Sequence, residues 1–344
     1  MTGDSTKTMA PEPRTFTVGT FRPADAPGIG ELFRAVYGEG YPIRLFYDTE
    51  ALTAANAEGQ YYSIVARGTQ REVVGVQHLF RSAPYASLYE GGAGLVLKEY
   101  RKGGINAEML RFMFEEFVPS MPSIEETFGE SVCYHPYMQK SMEEDFRHVA
   151  TALEVALMPA QTYGKEKPTA GRVATLDAFR CYNPKPHRIY LPVVYEDSLR
   201  RIYARLDDTR EIALSEADLP AGTPSQIETS LFTFAQVARL AVPASGSDFA
   251  ARFAEQEDNA RAKKSIVLQV WLNLTEPWVG RAAELLRRRG YFFGGALPRW
   301  FDGDGLLMQK LLCPPAFEDI ILSSEASQKL LEVIKEDWQR AQQE

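Results

Sequence analysis

Apolar and polar positions alternate from Thr15 to Phe21 (TFTVGTF), which puts Phe16 and Val18 on one face of a predicted strand. Pro27 suits the first turn of a helix, and Ile29, Leu32, Phe33, Val36 and Tyr37 then recur at the spacing of a single buried stripe. Tyr61 to Arg67 (YYSIVAR) and Val73 to Phe80 (VVGVQHLF) flank the polar turn 68–71 and read as a hairpin. Leu88 to Leu97 supplies another strand. Ile105, Met109, Phe112, Met113 and Phe117 return to the helical period until Pro119 stops it, and Ser131 to Tyr134 is the next strand candidate.

The stretch Pro159 to Arg172 (PAQTYGKEKPTAGR) is polar, carries two prolines and two glycines, and separates two periodic regions, as a linker does. Beyond it the pattern predicts a strand at 188–195, a helix at 197–206 and a short strand at 212–214. A strand at 232–242, a charged helix at 249–264 and a strand at 265–274 follow. The chain then gives a helix at 282–289, a hairpin of 291–297 with 306–312, and a final helix through Leu330, Leu331, Val333 and Ile334. The order of elements begins again in the second half, which suggests a long, diverged duplication. The expected organisation is an α/β chain with a disordered start (1–13), a first domain (14–160), a linker (161–172) and a second domain with a C-terminal helix (173–344).

Composition narrows the partners. The chain has 344 residues, 45% of them hydrophobic, enough for a sizeable core. Acidic residues outnumber basic ones by 46 to 38, so no overall attraction for nucleic acid or anionic lipid is expected, and no run of 18 apolar residues points to a membrane. Cys133, Cys181 and Cys313 lie far apart, and His78, His148 and His187 have no ligand spacing with carboxylates or cysteines; no metal is expected, and a reducing cytoplasm fits.

The candidate chemistry begins at Glu99-Tyr-Arg-Lys-Gly-Gly-Ile-Asn106 (EYRKGGIN), where a strand turns into a helix. A glycine loop there can point several backbone N–H groups at one anion, and the helix dipole adds to the attraction. The stretch has neither the GK[ST] ending of a Walker loop nor the GxGxxG spacing of a dinucleotide fold. In its context it resembles the RxxGxG or RxxGxA pyrophosphate loop of the GNAT acyltransferase superfamily, read as Arg101-Lys102-Gly103-Gly104-Ile105-Asn106. Asn106 departs from that pattern, which ends in Gly or Ala. The resemblance covers roughly residues 14 to 160.

The resemblance implies a fold of two tandem GNAT-like domains, each a mixed, mainly antiparallel sheet flanked by helices. It also implies acetyl-CoA as co-substrate, with pantetheine on the backbone of Leu95, Val96 and Leu97 and pyrophosphate on Arg101, Lys102, Gly103, Gly104, Ile105 and Asn106. Glu90 then falls where many members carry the glutamate base, with Glu130 as the substitute. Tyr134 and Tyr137 are the candidates for the acid that protonates the leaving thiolate, and Arg44 could hold a substrate carboxylate. In the second half AAELLRRRGY resembles the family's helix-to-hairpin segment. The loop 243–249, however, lacks the RxxGxG pattern, and Asp248 would repel a pyrophosphate, so this half reads as a degenerate copy.

The expected function is therefore direct transfer of an acetyl group from acetyl-CoA to the amine of a small molecule or peptide. The alternative is a non-catalytic CoA-binding sensor or scaffold that keeps the loop and has lost turnover. A homodimer contact or an acceptor pocket are the roles open to the second half.

Overall fold

The structure is a computed structural model that describes residues 15–101, 103–160 and 171–343. The chain divides into two compact units, one of Met1–Phe80 with Gly92–Phe117 and one of Arg81–Gly91 with Val118–Glu344. This division does not coincide with the expected boundary at 161–172. The strands on either side of it, ending at Pro159 and beginning at Arg172, pair with each other; residues 161–170, like the expected disordered start 1–13, lie outside the described residues.

The first unit opens with β1 (Phe16–Thr20), α1 (Ala26–Tyr37), α2 (Thr49–Ala57), β2 (Tyr61–Gly68) and β3 (Val73–Phe80). β2 runs antiparallel to both β1 and β3. β4 (Leu88–Val96) enters this unit at Gly92, and α3 (Ile105–Arg111) follows, continuing as a π-helical segment through Phe117. The apolar stripe of α1 does what its spacing requires: Ile29, Leu32 and Phe33 are buried against Phe46, Val65 and Val76. A buried ion pair, Arg67 Nη2 to Asp25 Oδ2 at 2.5 Å, ties the start of α1 to β2. α2 was not legible beforehand because Leu52 is its one buried residue; the Asp48 side chain accepts from Ala51 N–H at 2.9 Å and sets its start.

The second unit contains the first residues of β4, then β5 (Glu126–Val132), α4 (Tyr137–Lys140), β6 (Val149–Pro159) and β7 (Arg172–Cys181). β8 (His187–Leu191), α5 (Glu196–Tyr203), β9 (Arg210–Leu214), β10 (Gln226–Phe232), β11 (Val237–Ala244) and α6 (Phe249–Ala262) come next. β12 (Val267–Asn273), α7 (Val279–Arg287), β13 (Phe292–Leu297), β14 (Gly305–Leu311) and α8 (Glu325–Ala341) complete it. β8 and β9 form a small parallel sheet of their own.

The large sheet of this unit runs β4-β5-β7-β6-β13-β14-β12-β11-β10. One set of pairings occurs twice in it. β4 is parallel to β5, β5 antiparallel to β7 and β7 to β6; likewise β11 is parallel to β12, β12 antiparallel to β14 and β14 to β13. The two sets meet where Gly295 on β13 pairs with Ala152 on β6. Gly295 has φ of 135°, and a Cβ there would overlap the Thr151 carbonyl and Ala152, so only glycine permits this junction.

Several boundaries differ from the sequence reading. β5 starts at Glu126, not at Ser131, because Glu126 and Glu130 lie on it; β6 and β7 were not foreseen at all. Of the expected strand 232–242, residues from Val237 on are strand (β11), while Phe232 ends β10, an exposed edge, and Thr233–Gln236 form the turn between them. Among the described residues no helix is long and apolar enough to cross a membrane.

Candidate active site

The loop after β4 belongs to the first unit. Gly104 stands immediately before α3 with φ of 77°, and among the described residues nothing lies within 4 Å of where its Cβ would be. A side chain at Gly103 would meet only the Tyr100 carbonyl, at 3.3 Å. The two glycines thus keep their positions in the turn free of side-chain bulk, while the Gly103 N–H donates to the Tyr100 carbonyl at 3.3 Å. Asn106 does not crowd it: its Oδ1 accepts from Gln77 Nε2 at 2.7 Å, and Gly94 gives that glutamine room, since a Cβ on Gly94 would overlap the Gln77 amide. Lys102 lies outside the described residues.

The three residues expected to hold pantetheine are not equivalent. Leu97 N–H donates to the Val74 carbonyl on β3 at 2.9 Å, so that donor is already used. Strand alternation turns Val96 the other way, and its carbonyl accepts from Arg101 Nε at 3.3 Å. This leaves Val96 N–H, not Leu97, as the backbone donor facing away from β3. Ala93, with φ of 51°, kinks β4 between Glu90 and Leu95.

Glu90 belongs to the second unit, where a layer of polar side chains crosses one face of the sheet. The register builds it. Phe128 pairs with Phe179 and Trp271 with Leu307, and these share an apolar layer with Leu88, Ala152, Leu297 and Trp300. Two residues along each strand, on the same face, Glu130 pairs with Asp177, Gln269 with Gln309 and Arg239 with Gln269. The register sets Glu90 beside Phe128 and Glu154 across from Thr175, on the same face but offset along the strands from the Glu130–Asp177 pair.

Arg239 crosses this layer. Its Nη2 lies 3.0 Å from Glu130 Oε1 and 3.2 Å from Glu154 Oε1, and its Nε donates to Gln269 Oε1 at 2.8 Å. Gln269 Nε2 and Thr175 Oγ1 donate to Glu154 at 2.8 and 3.1 Å. The guanidinium is sandwiched near the rings of Trp271 and Phe232, with centroids 5.5 and 5.3 Å away.

One guanidinium does not neutralise four carboxyl groups in so little water. Burial first, and the charge of Glu130 second, push the Glu90 carboxyl well above its usual range. The same two causes raise Glu154 to about 7, and burial with Glu154 and Glu130 raises Asp177. For Glu154 the sign is clear: a carboxyl that holds its proton in the fold loses stability as pH rises from its unfolded value through about 7. Glu154→Gln should therefore match the wild type near about pH 5 and exceed it by up to about 3 kcal/mol near about pH 9. Urea unfolding at both values checks this; a gap that does not grow with pH rules it out.

The other candidates are scattered. Tyr134 and Tyr137 both make ring contact with His135, at 4.5 and 5.2 Å, and Tyr137 is 76% exposed. Arg44 is exposed and tethered to Glu39, donating to its carbonyl at 3.0 Å. Sequence reasoning singled out Glu90 and Glu130 but not Glu154, Asp177, Arg239 and Gln269, which share their layer. The signal of the three charged ones was present: a single charge in the middle of each apolar run, TALEVAL, ATLDAF and VARLAV.

The corresponding loop of the second half is filled by its own chain. Gly246 N–H donates to Ser225 Oγ at 2.8 Å, a Cβ on Gly246 would overlap the Thr223 carbonyl, and Asp248 Oδ1 accepts from Ser225 N and Oγ. β11 and β12 stay paired without a break from Val237–Val267 to Val242–Leu272. Asn273 is a strand-end residue, donating to the Pro243 carbonyl and accepting from Thr275.

No protein-family model matches the chain, and no curated protein does. Among solved structures it is similar to a ribosomal-protein-S5-alanine acetyltransferase from Vibrio fischeri, at 11% identity over 48% of this chain and 93% of that one, with a TM-score of 0.36. An N-acetyltransferase from Staphylococcus aureus matches at 11% identity over 49% and 99%, with a TM-score of 0.39. A spermidine N-acetyltransferase from Vibrio cholerae, solved with CoA and spermine, matches at 10% identity over 48% and 95%, with a TM-score of 0.35. The similarity to these acetyltransferase structures extends over about half of the chain.

Proposed function

We propose that the chain is an acyl-CoA-dependent N-acyltransferase that moves an acetyl group directly onto an amine. The observation that carries this reading is Glu90: a partly buried carboxyl whose proton affinity is raised by burial and by Glu130, on the same strand that leads into the open glycine turn. A base for an ammonium, whose reference pKa is about 10, works best with an affinity raised toward neutrality. Glu90 takes a proton from the acceptor nitrogen, the nitrogen forms its bond to the acyl carbon, and the carbon–sulfur bond breaks. Tyr134 and Tyr137 are the proposed donors to the departing thiolate, Tyr134 being the less exposed of the two. Gly103, Gly104, Ile105 and Asn106, with Arg101 and Lys102, would receive the pyrophosphate, and Val96 N–H the pantetheine amide.

The repeated pairing order supports reading the second half as a diverged copy. Its self-filled loop and unbroken β11–β12 pairing support a single CoA site per chain.

Calorimetric titration of the full chain with acetyl-CoA tests both points. One site per chain is expected, and Gly103→Asp should weaken it at least about tenfold by setting a carboxylate against the pyrophosphate. No binding to the wild type would remove the acyltransferase reading, and two sites would remove the reading of the second half. Binding without transfer to any amine would favour a CoA sensor instead.

A further inference from the structure

We infer that the second unit holds a binding site of its own, between α5 and α8, for a small carboxylate with an apolar tail. This goes beyond the acyltransferase reading and does not depend on it. α5 and α8 both pack against β13, and α8 also covers β6. Between the two helices lies a cavity of about 270 Å³, lined only by residues of this unit. A cavity of about 150 Å³ accepts a benzene ring, so this one has room for roughly ten non-hydrogen atoms.

Helical spacing gives the cavity two kinds of wall. Ser198, Arg201 and Ile202 share one stripe of α5, and Ala326, Leu330 and Val333 share one of α8. The deep wall is apolar: Ile202, Leu330 and Phe293 are buried, Val333 is half-buried, and Ala150 on β6 adds only a methyl group. The mouth is basic. Arg201, Arg205 and Lys329 line it with a single carboxylate, Glu325, in a chain whose net charge is −8. Lys329 Nζ already meets Glu325 at 2.6 Å, and Arg205 Nη1 donates to the Ala150 carbonyl at 2.9 Å. Arg201 is exposed and has no hydrogen bond or ion pair among the described residues. Its planar fork of donors matches a carboxylate in geometry and charge. An unpaired guanidinium above an apolar wall favours an anion that carries a hydrocarbon body, and the volume limits that body to about eight carbons.

Calorimetric titration of the full chain with octanoate tests this. Acetate, which has the charge without the tail, and 1-octanol, which has the tail without the charge, are the comparators. Octanoate should saturate one site per chain, and each comparator should bind at least about tenfold more weakly. Arg201→Gln, at an exposed position, should weaken octanoate at least about fivefold and leave 1-octanol unchanged. Val333→Phe should weaken octanoate at least about tenfold by filling the cavity. If that variant does not fold, Ser198→Trp fills the cavity from the opposite helix and should have the same effect. The absence of a saturable octanoate site overturns the inference. So does a comparator that binds as tightly as octanoate, or an octanoate affinity that survives Arg201→Gln and the filling of the cavity.

Discussion

Glu90→Gln is expected to lower the rate of acetyl transfer by about 10²-fold to 10³-fold near neutrality, the range associated with loss of a positioned general base. The amide keeps the shape of the side chain and removes its ability to accept a proton. The deficit should depend on pH. Above the pH at which Glu90 ionises and below that at which the amine loses its own proton, nearly all of the acceptor is an ammonium ion and transfer needs the base; as pH rises further, free amine becomes available and the variant should gain on the wild type. In the wild type the rate should rise with pH as Glu90 ionises, and because burial and Glu130 raise its proton affinity, that limb should lie above the ordinary carboxylate range. The variant should lose the limb. Affinity for acetyl-CoA should change little, since the loop it is proposed to use belongs to the other compact unit. A pH–rate profile identical to that of the wild type would take the base role from Glu90, and Glu130→Gln would be the next variant to measure.

The residues legible beforehand and those that were not differ in a physical way. α1 and the β2–β3 hairpin could be read because their burial follows from periodicity alone; Ile29, Leu32 and Phe33 point inward as their spacing demands. β6 and β7 could not, because the burial of Glu154 and Asp177 depends on Arg239, which is distant in sequence and adjacent only after folding. The polar loop between these strands then looked like a linker. Glu90 was found from its place relative to the glycine loop, while the groups that tune it were invisible for the same reason that hid β6 and β7. A charge inside an apolar run weakens a strand prediction, yet here it marks the strands that build the candidate site.

The dependence on Arg239 yields the largest expected effect on stability. Arg239→Met keeps much of the side chain's volume near Trp271 and Phe232 but removes the cation that meets Glu130 and Glu154. Breaking a buried ion pair from one side costs about 3–5 kcal/mol, because the remaining charge has no partner. The cost should fall in acid. With Glu154 at about 7 already in the presence of Arg239, the variant can protonate it readily near about pH 5, and the penalty should be clearly smaller there than near about pH 8. Adding Glu154→Gln to Arg239→Met should recover part of the loss at about pH 8, since it removes one of the stranded charges. Urea unfolding of the three variants at the two pH values is the measurement; a penalty independent of pH would mean that Arg239 contributes packing alone. Arg239 lies on β11 whereas Glu130 and Glu154 lie on β5 and β6, so a chain ending after β7 should leave these carboxylates without their cation. On this account the second half is the source of the charge that keeps the first half's carboxylates folded and in place.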